Sequence, residues 1–282
     1  MSLLELPNGR RIGYEQHGKG PDIVWISGGG GSFKDWLAYQ VPAFPNYRST
    51  LFDNRGIGET TCDQPLPWTM ADFARDAVDV IRAICDPPVI VIGLSMGSLI
   101  CQQLAIDFPE SIRLAIAMGT APRADGWILD YMRAEIEFRK AGHSLTGMMG
   151  LCHYLAALYP SSALGDPAMY GKLRDQWTKW IDSGDNERSL IGQWDACCTF
   201  DHVEGLPTCP VPIHVVGFGE DVQAPAAYGR RVAELARNGV YHHLDGLGHC
   251  SLFGHAPDRV NALIKEIIRS APATSAGGPT QP

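Results

Sequence analysis

The chain has 282 residues, 45% of them hydrophobic, 9% aromatic and 19% charged, with 31 Gly and 20 Pro, a composition that excludes collagenous, coiled-coil and disordered classes. Twenty-three Lys and Arg stand against 31 Asp and Glu, for a net charge of −8, so no basic surface is offered to nucleic acid or anionic lipid. A chain this long buries enough apolar surface to fold without disulfides or metals, and its eight cysteines show no CxxC pair and no metal-type spacing with histidine.

Met1 to Gly9 reach a turn before any apolar run of signal-peptide length, and no stretch approaches the roughly 20 apolar residues of a membrane span. A soluble, cytoplasmic protein with reduced thiols is expected, the adjacent Cys197 and Cys198 included. Leu4 to Leu6 and Arg11 to Glu15 flank Pro7-Asn8-Gly9-Arg10, and Asn-Gly between two strand-like runs predicts an antiparallel hairpin. Four later runs, Ile23 to Ile26, Val89 to Ile92, Leu114 to Met118 and Ile213 to Val216, are continuously apolar and too short for helices. They read as strands buried on both faces, the habit of parallel sheets covered by helices. Helical patterns alternate with them. Thr69, with Asp72 three residues on, caps one whose apolar face carries Phe73, Ala77, Val80, Ile81 and Ile84. Ser98 to Phe108, Ala226 to Arg237 and Pro257 to Ile268 behave similarly. The expected fold class is α/β, a mostly parallel sheet flanked by helices after an N-terminal antiparallel hairpin.

One stretch breaks the alternation. From Ala121 to Gly205 there is no convincing strand, but Ile128, Met132 and Ile136 fall at four-residue spacing and Trp177, Trp180 and Ile181 cluster. The expected organisation is a core of residues 1–120 and 206–270, a helical insertion of residues 121–205, and a disordered tail of residues 271–282.

The run Val89 to Ile92 leads directly into Gly93-Leu94-Ser95-Met96-Gly97 and then a helical pattern. This is G-x-S-x-G in a strand-turn-helix setting. A serine on so sharp a turn tolerates no bulk beside its backbone, hence the glycines two before and two after. The following helix aims its N-terminal amides at negative charge developing there. Ser95 becomes a nucleophile only if a base takes its proton. Leu244-Asp245-Gly246-Leu247-Gly248-His249 places His249 on a loop at a strand's end, and Gly217-Phe218-Gly219-Glu220-Asp221 places two carboxylates on another. The spacing to Pro225 favours Asp221, with Glu220 as the alternative. Immediately after the first buried strand stand Ser27-Gly28-Gly29-Gly30-Gly31-Ser32, a glycine run that lets backbone amides approach a substrate oxygen.

These motifs together resemble the α/β-hydrolase superfamily, in its branch with a serine nucleophile and a helical cap, similar to esterases, enol-lactonases and C–C bond hydrolases. The resemblance covers the chain apart from the insertion and tail. It implies Ser95, Asp221 and His249 as nucleophile, acid and base in the family's chain order. It also implies an oxyanion hole of the Gly29 and Met96 amides, with Ser27 where histidine is usual. Asp53-Asn54-Arg55-Gly56-Ile57-Gly58 looks like the family's Asp-x-Arg-Gly-x-Gly turn, with a structural role. Ser98, where many relatives have a third glycine, implies looser helix packing. In such enzymes the insertion roofs the active site, making Gly30, Trp127, Tyr131, Met149 and Trp194 candidate substrate contacts, and Arg123, Arg133 and His153 candidate partners of a substrate anion.

The function expected is a serine hydrolase acting on an ester, thioester or lactone of a fairly hydrophobic small molecule. It needs no metal or organic cofactor and no nucleic-acid or membrane partner; oligomeric state is left open. Two alternatives stand beside it: hydrolysis of a C–C bond in a β-diketone-like substrate, and a non-catalytic small-molecule receptor on the same scaffold.

Overall fold

The computed structural model describes residues 1–6, 9–182 and 187–271. Its strands are β1 (Ser2–Glu5), β2 (Arg11–His17), β3 (Asp22–Ile26), β4 (Arg48–Phe52), β5 (Val89–Leu94), β6 (Ile112–Met118), β7 (Ile213–Phe218) and β8 (Gly239–Leu244). They form one sheet in the order β1-β2-β4-β3-β5-β6-β7-β8. β1 pairs with β2, and β2 with β4, antiparallel; every later pair is parallel. The hairpin and the four apolar strands expected from the sequence are all present. The Pro7-Asn8 part of the hairpin turn lies outside the described residues, as does the tail expected from the sequence beyond residue 271.

Two elements were not foreseen with the same clarity. β8 carries Tyr241, His242 and His243 and sits at the sheet edge, where it is only partly buried. β4 holds Arg48, Ser49 and Thr50 in a sheet interior, which its polarity hides. Each polar group has its partner there: Ser49 Oγ accepts from Trp25 Nε1 at 3.1 Å, Thr50 Oγ1 accepts from Gln16 Nε2 at 3.0 Å, and Arg48 Nε pairs with Asp22 at 2.6 Å. Buried polar groups satisfied in this way cost little.

The helices are α1 (Met70–Ile84), α2 (Met96–Asp107), α3 (Gly126–Lys140), α4 (Gly147–Leu158), α5 (Ser161–Gly165), α6 (Pro167–Asp182), α7 (Glu187–Thr199), α8 (Ala226–Leu235) and α9 (Pro257–Ser270). Thr69 and Asp72 close a capping box at the start of α1, satisfying two orphan amides of its first turn. Alternate residues of the central strands feed two cores. Val24, Val91, Ala115 and Val215 face α1, α2 and Val232 of α8. Ile23, Trp25, Ile92 and Ile116 face Val260, Ile264 and Ile267 of α9.

α3 to α7 lie between β6 and β7. The two ends of that stretch run side by side: Arg123 and Asp201 form an isolated antiparallel bridge, and the His202 amide donates to the Pro122 carbonyl at 2.8 Å. The chain thus leaves the sheet and returns to it at nearly one point. Among the described residues, no helix is long and apolar enough to cross a membrane.

Candidate active site

β5 ends at Leu94 and α2 begins at Met96, so Ser95 alone carries the reversal from strand to helix. Its φ of 55° and ψ of −125° make it the one non-glycine residue of positive φ among those described. Such backbone costs on the order of 1–3 kcal/mol and persists only where its surroundings over-determine it. They do so here. The Ser95 amide donates to the Met118 carbonyl at 3.0 Å, and the Ser98 hydroxyl donates to the Ser95 carbonyl at 2.6 Å. Ser98, where many relatives have glycine, is fully buried and its hydroxyl braces the turn. A Cβ on Gly93 would overlap the Gly97 carbonyl, and one on Gly97 would overlap the Ile26 carbonyl. Gly97→Ala therefore has only rigid backbone to push against and is expected to destabilise the protein by about 1–3 kcal/mol. Thermal unfolding measures this, and a midpoint equal to wild type would show that the turn is slacker than these contacts require.

His249 lies between β8 and α9, and Asp221 between β7 and α8. Their loops bring His249 Nδ1 within 2.6 Å of Asp221 Oδ2, both side chains being buried. Asp221 Oδ1 accepts the amides of Gln223 at 3.0 Å and Ala224 at 2.7 Å. An ionised carboxylate only accepts, so Nδ1 carries the proton of this hydrogen bond, which in a neutral imidazole leaves the lone pair on Nε2. Nε2 is buried and makes no hydrogen bond with the described residues. Gly119, with φ of +56°, leaves room for the imidazole: a Cβ there would stand 2.8 Å from His249 Cε1. Glu220, the alternative carboxylate, is exposed.

The glycine run follows β3. Ser27, standing where histidine was the family expectation, is buried and held twice: its hydroxyl accepts from Trp36 Nε1 at 3.0 Å and its carbonyl from Asn54 Nδ2 at 3.0 Å. Asp53 Oδ1 accepts the Phe33 amide at 2.9 Å and the Ser32 hydroxyl at 3.0 Å, while Arg55 pairs with Asp76. The Asp53–Gly58 turn thus clamps both ends of the run. Within it, the Gly30 amide donates to Gln193 Oε1 at 2.8 Å, and Gln193 Nε2 donates to the Arg55 carbonyl at 3.0 Å. The Gly29 amide makes no hydrogen bond among the described residues. Met96 is the first residue of α2, where the amide has no helical partner.

Ser95, Met96, His249, Gly28 and Gly29 all line one cavity of about 190 Å³. The inserted helices supply Met132, Tyr154, Trp177, Trp180, Gln193 and Trp194 to its wall. Of the side chains anticipated as substrate contacts, Trp194 lines it. Three lie elsewhere. Trp127 is half exposed and donates to the Val222 carbonyl at 2.7 Å, Tyr131 stacks on His153, and Met149 is 75% exposed. Gly30 is turned to Gln193 rather than to the cavity. The candidate anion partners are not on the wall either: Arg123 pairs with Asp125 at 2.7 Å, His153 pairs with Glu135 at 2.9 Å, and Arg133 does not line the cavity. Sequence reasoning missed Asp35, Gln176, Gln193 and Phe253. Burial pushes the thiols of Cys197 and Cys250, also on the wall, well up, so neither supplies a competing thiolate at neutral pH.

A model of the family described as "Alpha/beta hydrolase family" matches residues 23–263. The chain belongs to the alpha/beta hydrolase family. A Mycobacterium tuberculosis relative provisionally named as the non-heme bromoperoxidase BpoC is 30% identical over 264 residues, covering 93% of this chain and 99% of the relative. A Variovorax paradoxus relative provisionally named as the carbamate hydrolase RutD is 24% identical over 272 residues, covering 93% and 98%. Among solved structures, Rv0554 from Mycobacterium tuberculosis superposes with a TM-score of 0.88 at 29% identity, over 96% of this chain and 98% of that one. The enol-lactonase from Burkholderia xenovorans LB400, at TM-score 0.79, 21% identity and coverage of 95% and 98%, shares the fold. Among the described residues of this hydrolase, no group of three or more His, Cys, Asp or Glu side chains is placed to hold a metal ion.

Proposed function

We propose that this α/β hydrolase is a serine hydrolase that cleaves an ester, thioester or lactone of a fairly hydrophobic small molecule, with residues 121–205 acting as a cap over the site. The observation that carries the reading is the Asp221–His249 pair at 2.6 Å, whose unpartnered Nε2 belongs to the same cavity wall as Ser95 on its strained turn. His249 Nε2 takes the Ser95 proton as Oγ attacks the substrate carbonyl carbon. The oxyanion is met by the Gly29 and Met96 amides. The tetrahedral intermediate then expels the alcohol or thiol, which takes the proton from His249. Water, deprotonated at the same nitrogen, releases the acid and restores Ser95. The base contributes about 10²–10⁴-fold and each oxyanion donor about 10²–10³-fold.

The test is turnover of 4-nitrophenyl butyrate together with labelling of Ser95 by a fluorophosphonate. Both are expected. A protein that turns over no ester, thioester or lactone and takes no label at Ser95 refutes the reading. Cleavage of a chromogenic dienone in preference to every ester would move the chemistry to C–C bonds.

Gln193 is a positioning residue in this scheme. By holding the Gly30 amide from α7, it fixes the peptide beside Gly29 and couples the cap to the oxyanion loop. Gln193→Leu is expected to lower kcat for 4-nitrophenyl butyrate by about 10–100-fold with little change in KM, as misplacement of a transition-state donor does. Gln193→Glu, which keeps the accepting oxygen, recovers part of the loss. Equal losses in both variants, or a loss confined to KM, would make Gln193 a packing residue only.

A further inference from the structure

Trp127 lies off the cavity wall and has no part in the hydrolytic scheme. It stands in the first turn of α3, half exposed. Its Nε1–H nonetheless donates to the Val222 carbonyl at 2.7 Å, a contact that burial does not force, since a half-exposed indole can give its N–H to water. The Val222 carbonyl and the Gln223 amide are the two ends of one peptide unit. Such a unit is planar, so a donor that holds its oxygen also aims its N–H, and this N–H donates to Asp221 Oδ1 at 3.0 Å. Asp221 Oδ2 in turn accepts from His249 Nδ1 at 2.6 Å. Three hydrogen bonds in series thus lead from α3 to the imidazole, and bonds in series polarise and order one another. The far end of the series is anchored. The Asp125 carbonyl, just before α3, accepts from Tyr228 Oη at 3.4 Å, and the Asp125 carboxylate pairs with Arg231 Nη1 at 3.6 Å. Tyr228 and Arg231 both belong to α8, the helix that follows the Asp221 loop. Gly126, with φ of +51°, lets α3 start this close, for a Cβ there would stand 3.0 Å from Tyr228 Oη. One turn along α3, the Tyr131 ring packs 5.8 Å from that of Trp127, and its hydroxyl meets His153 Nε2 at 3.1 Å.

We propose that Trp127 is a positioning residue: through the Val222–Gln223 peptide it holds the Asp221 carboxylate on His249, so that the base is ready only while α3 is docked on the Asp221 loop. The kinetic consequence rests on the serine-hydrolase reading; the hold on Asp221 does not. The same helix brings Met132 to the cavity wall, so one docking event both builds the wall and orders the base. The effect is a fraction of what loss of Asp221 itself would bring. The Ala224 amide also reaches Oδ1, at 2.7 Å, and keeps the carboxylate near its place when the indole is gone. Water can reach the half-exposed Val222 carbonyl, but a water is not fixed to α3. What Trp127 adds is the net worth of one well-placed hydrogen bond.

The experiment separates the N–H from the ring in the full chain. Trp127→Phe keeps an aromatic ring and loses the donor. Trp127→Gln loses the ring and keeps an N–H at the same number of bonds from Cβ, and Trp127→Met is its counterpart without a donor. With 4-nitrophenyl butyrate, Trp127→Phe and Trp127→Met are expected to lower kcat by about 3–10-fold with little change in KM, and Trp127→Gln to recover part of the loss. A packing role gives the reverse order, with Trp127→Phe near wild type and Trp127→Gln as poor as Trp127→Met. Because the residue is half exposed, unfolding midpoints should stay within a few degrees of wild type. A second readout is independent of turnover: the two ¹⁵N shifts of the His249 ring, measured with the imidazole neutral in histidine-labelled protein and assigned with His249→Gln. Wild type should report the proton on Nδ1, and Asp221→Asn, which removes the accepting oxygen, the proton on Nε2. In Trp127→Phe and Trp127→Met both shifts are expected to move part of the way toward the Asp221→Asn values, and less far in Trp127→Gln. Wild-type shifts in Trp127→Phe overturn the proposal, as do a wild-type kcat in that variant and a Trp127→Gln no better than Trp127→Met. If no ester is cleaved, the hydrolase reading falls and the shifts still decide whether Trp127 holds Asp221.

Discussion

Ser95→Ala is expected to lower kcat for 4-nitrophenyl butyrate by about 10⁴–10⁶-fold, leaving only what binding and the proposed oxyanion donors, the Gly29 and Met96 amides, supply over water. The loss is that large because the hydroxyl has no understudy among the described residues. Among the nucleophilic side chains on the wall, the Cys197 and Cys250 thiols have their pKa values pushed up by burial, and the Ser27 hydroxyl accepts from Trp36. Affinity for an uncleavable ester analogue should stay within a few-fold of wild type, since the side chain removed is small. The same position carries a stability signature that catalysis alone does not require. Alanine keeps a Cβ at φ 55° and so keeps the strain, whereas Ser95→Gly relieves it. The glycine variant, equally inactive, is expected to be the more stable of the two by about 1 kcal/mol in chemical denaturation. A retained burst of nitrophenol in either variant would place the nucleophile elsewhere. A glycine variant no more stable than the alanine one would show that the turn stores no strain.

How much of this arrangement is legible in the sequence depends on how local its cause is. The apolar runs that become β3, β5, β6 and β7 announce themselves because burial on both faces leaves no room for polar residues. β4 does not, because its Ser49 and Thr50 are made compatible with burial by Trp25 and Gln16, residues on other strands. The turn at Ser95 is written into a five-residue stretch, since the steric demand falls on Gly93 and Gly97 themselves. His249 and Asp221 are readable as polar residues on loops at the ends of adjacent parallel strands. The contact of Gln193 with Gly30 crosses 163 positions, and nothing near Gln193 marks it. Asp35 looks like one more charge in a polar turn until the cavity beside it is known. The inserted helices were hardest to read. Trp127, Tyr131 and Trp194 are alike as large side chains on amphipathic helices, and only tertiary packing turns Trp194 to the cavity and Trp127 to the Val222 carbonyl.

The sharpest test of the histidine's role comes from an exchange that preserves shape. Asp221→Asn is expected to lower kcat/KM for 4-nitrophenyl butyrate by about 10⁴-fold with little loss of fold. Asp221 Oδ1 receives two backbone amides, from Gln223 and Ala224. An asparagine keeps its oxygen there, because turning its NH₂ toward two N–H donors would leave all three without an acceptor. Its NH₂ is then left facing His249 Nδ1, 2.6 Å from where Asp221 Oδ2 now lies. That nitrogen must accept, so the imidazole proton moves to Nε2. An Nε2–H cannot take the proton of Ser95, and the base is lost while every heavy atom stays near its place. Fluorophosphonate labelling of Ser95, which depends on the same proton transfer, should slow by a similar factor. Glu220→Gln, at the exposed neighbouring carboxylate, should leave both rates near wild type. The reverse pattern, with Asp221→Asn active and Glu220→Gln impaired, would transfer the orienting role to Glu220 and require the loop between β7 and α8 to rearrange before catalysis.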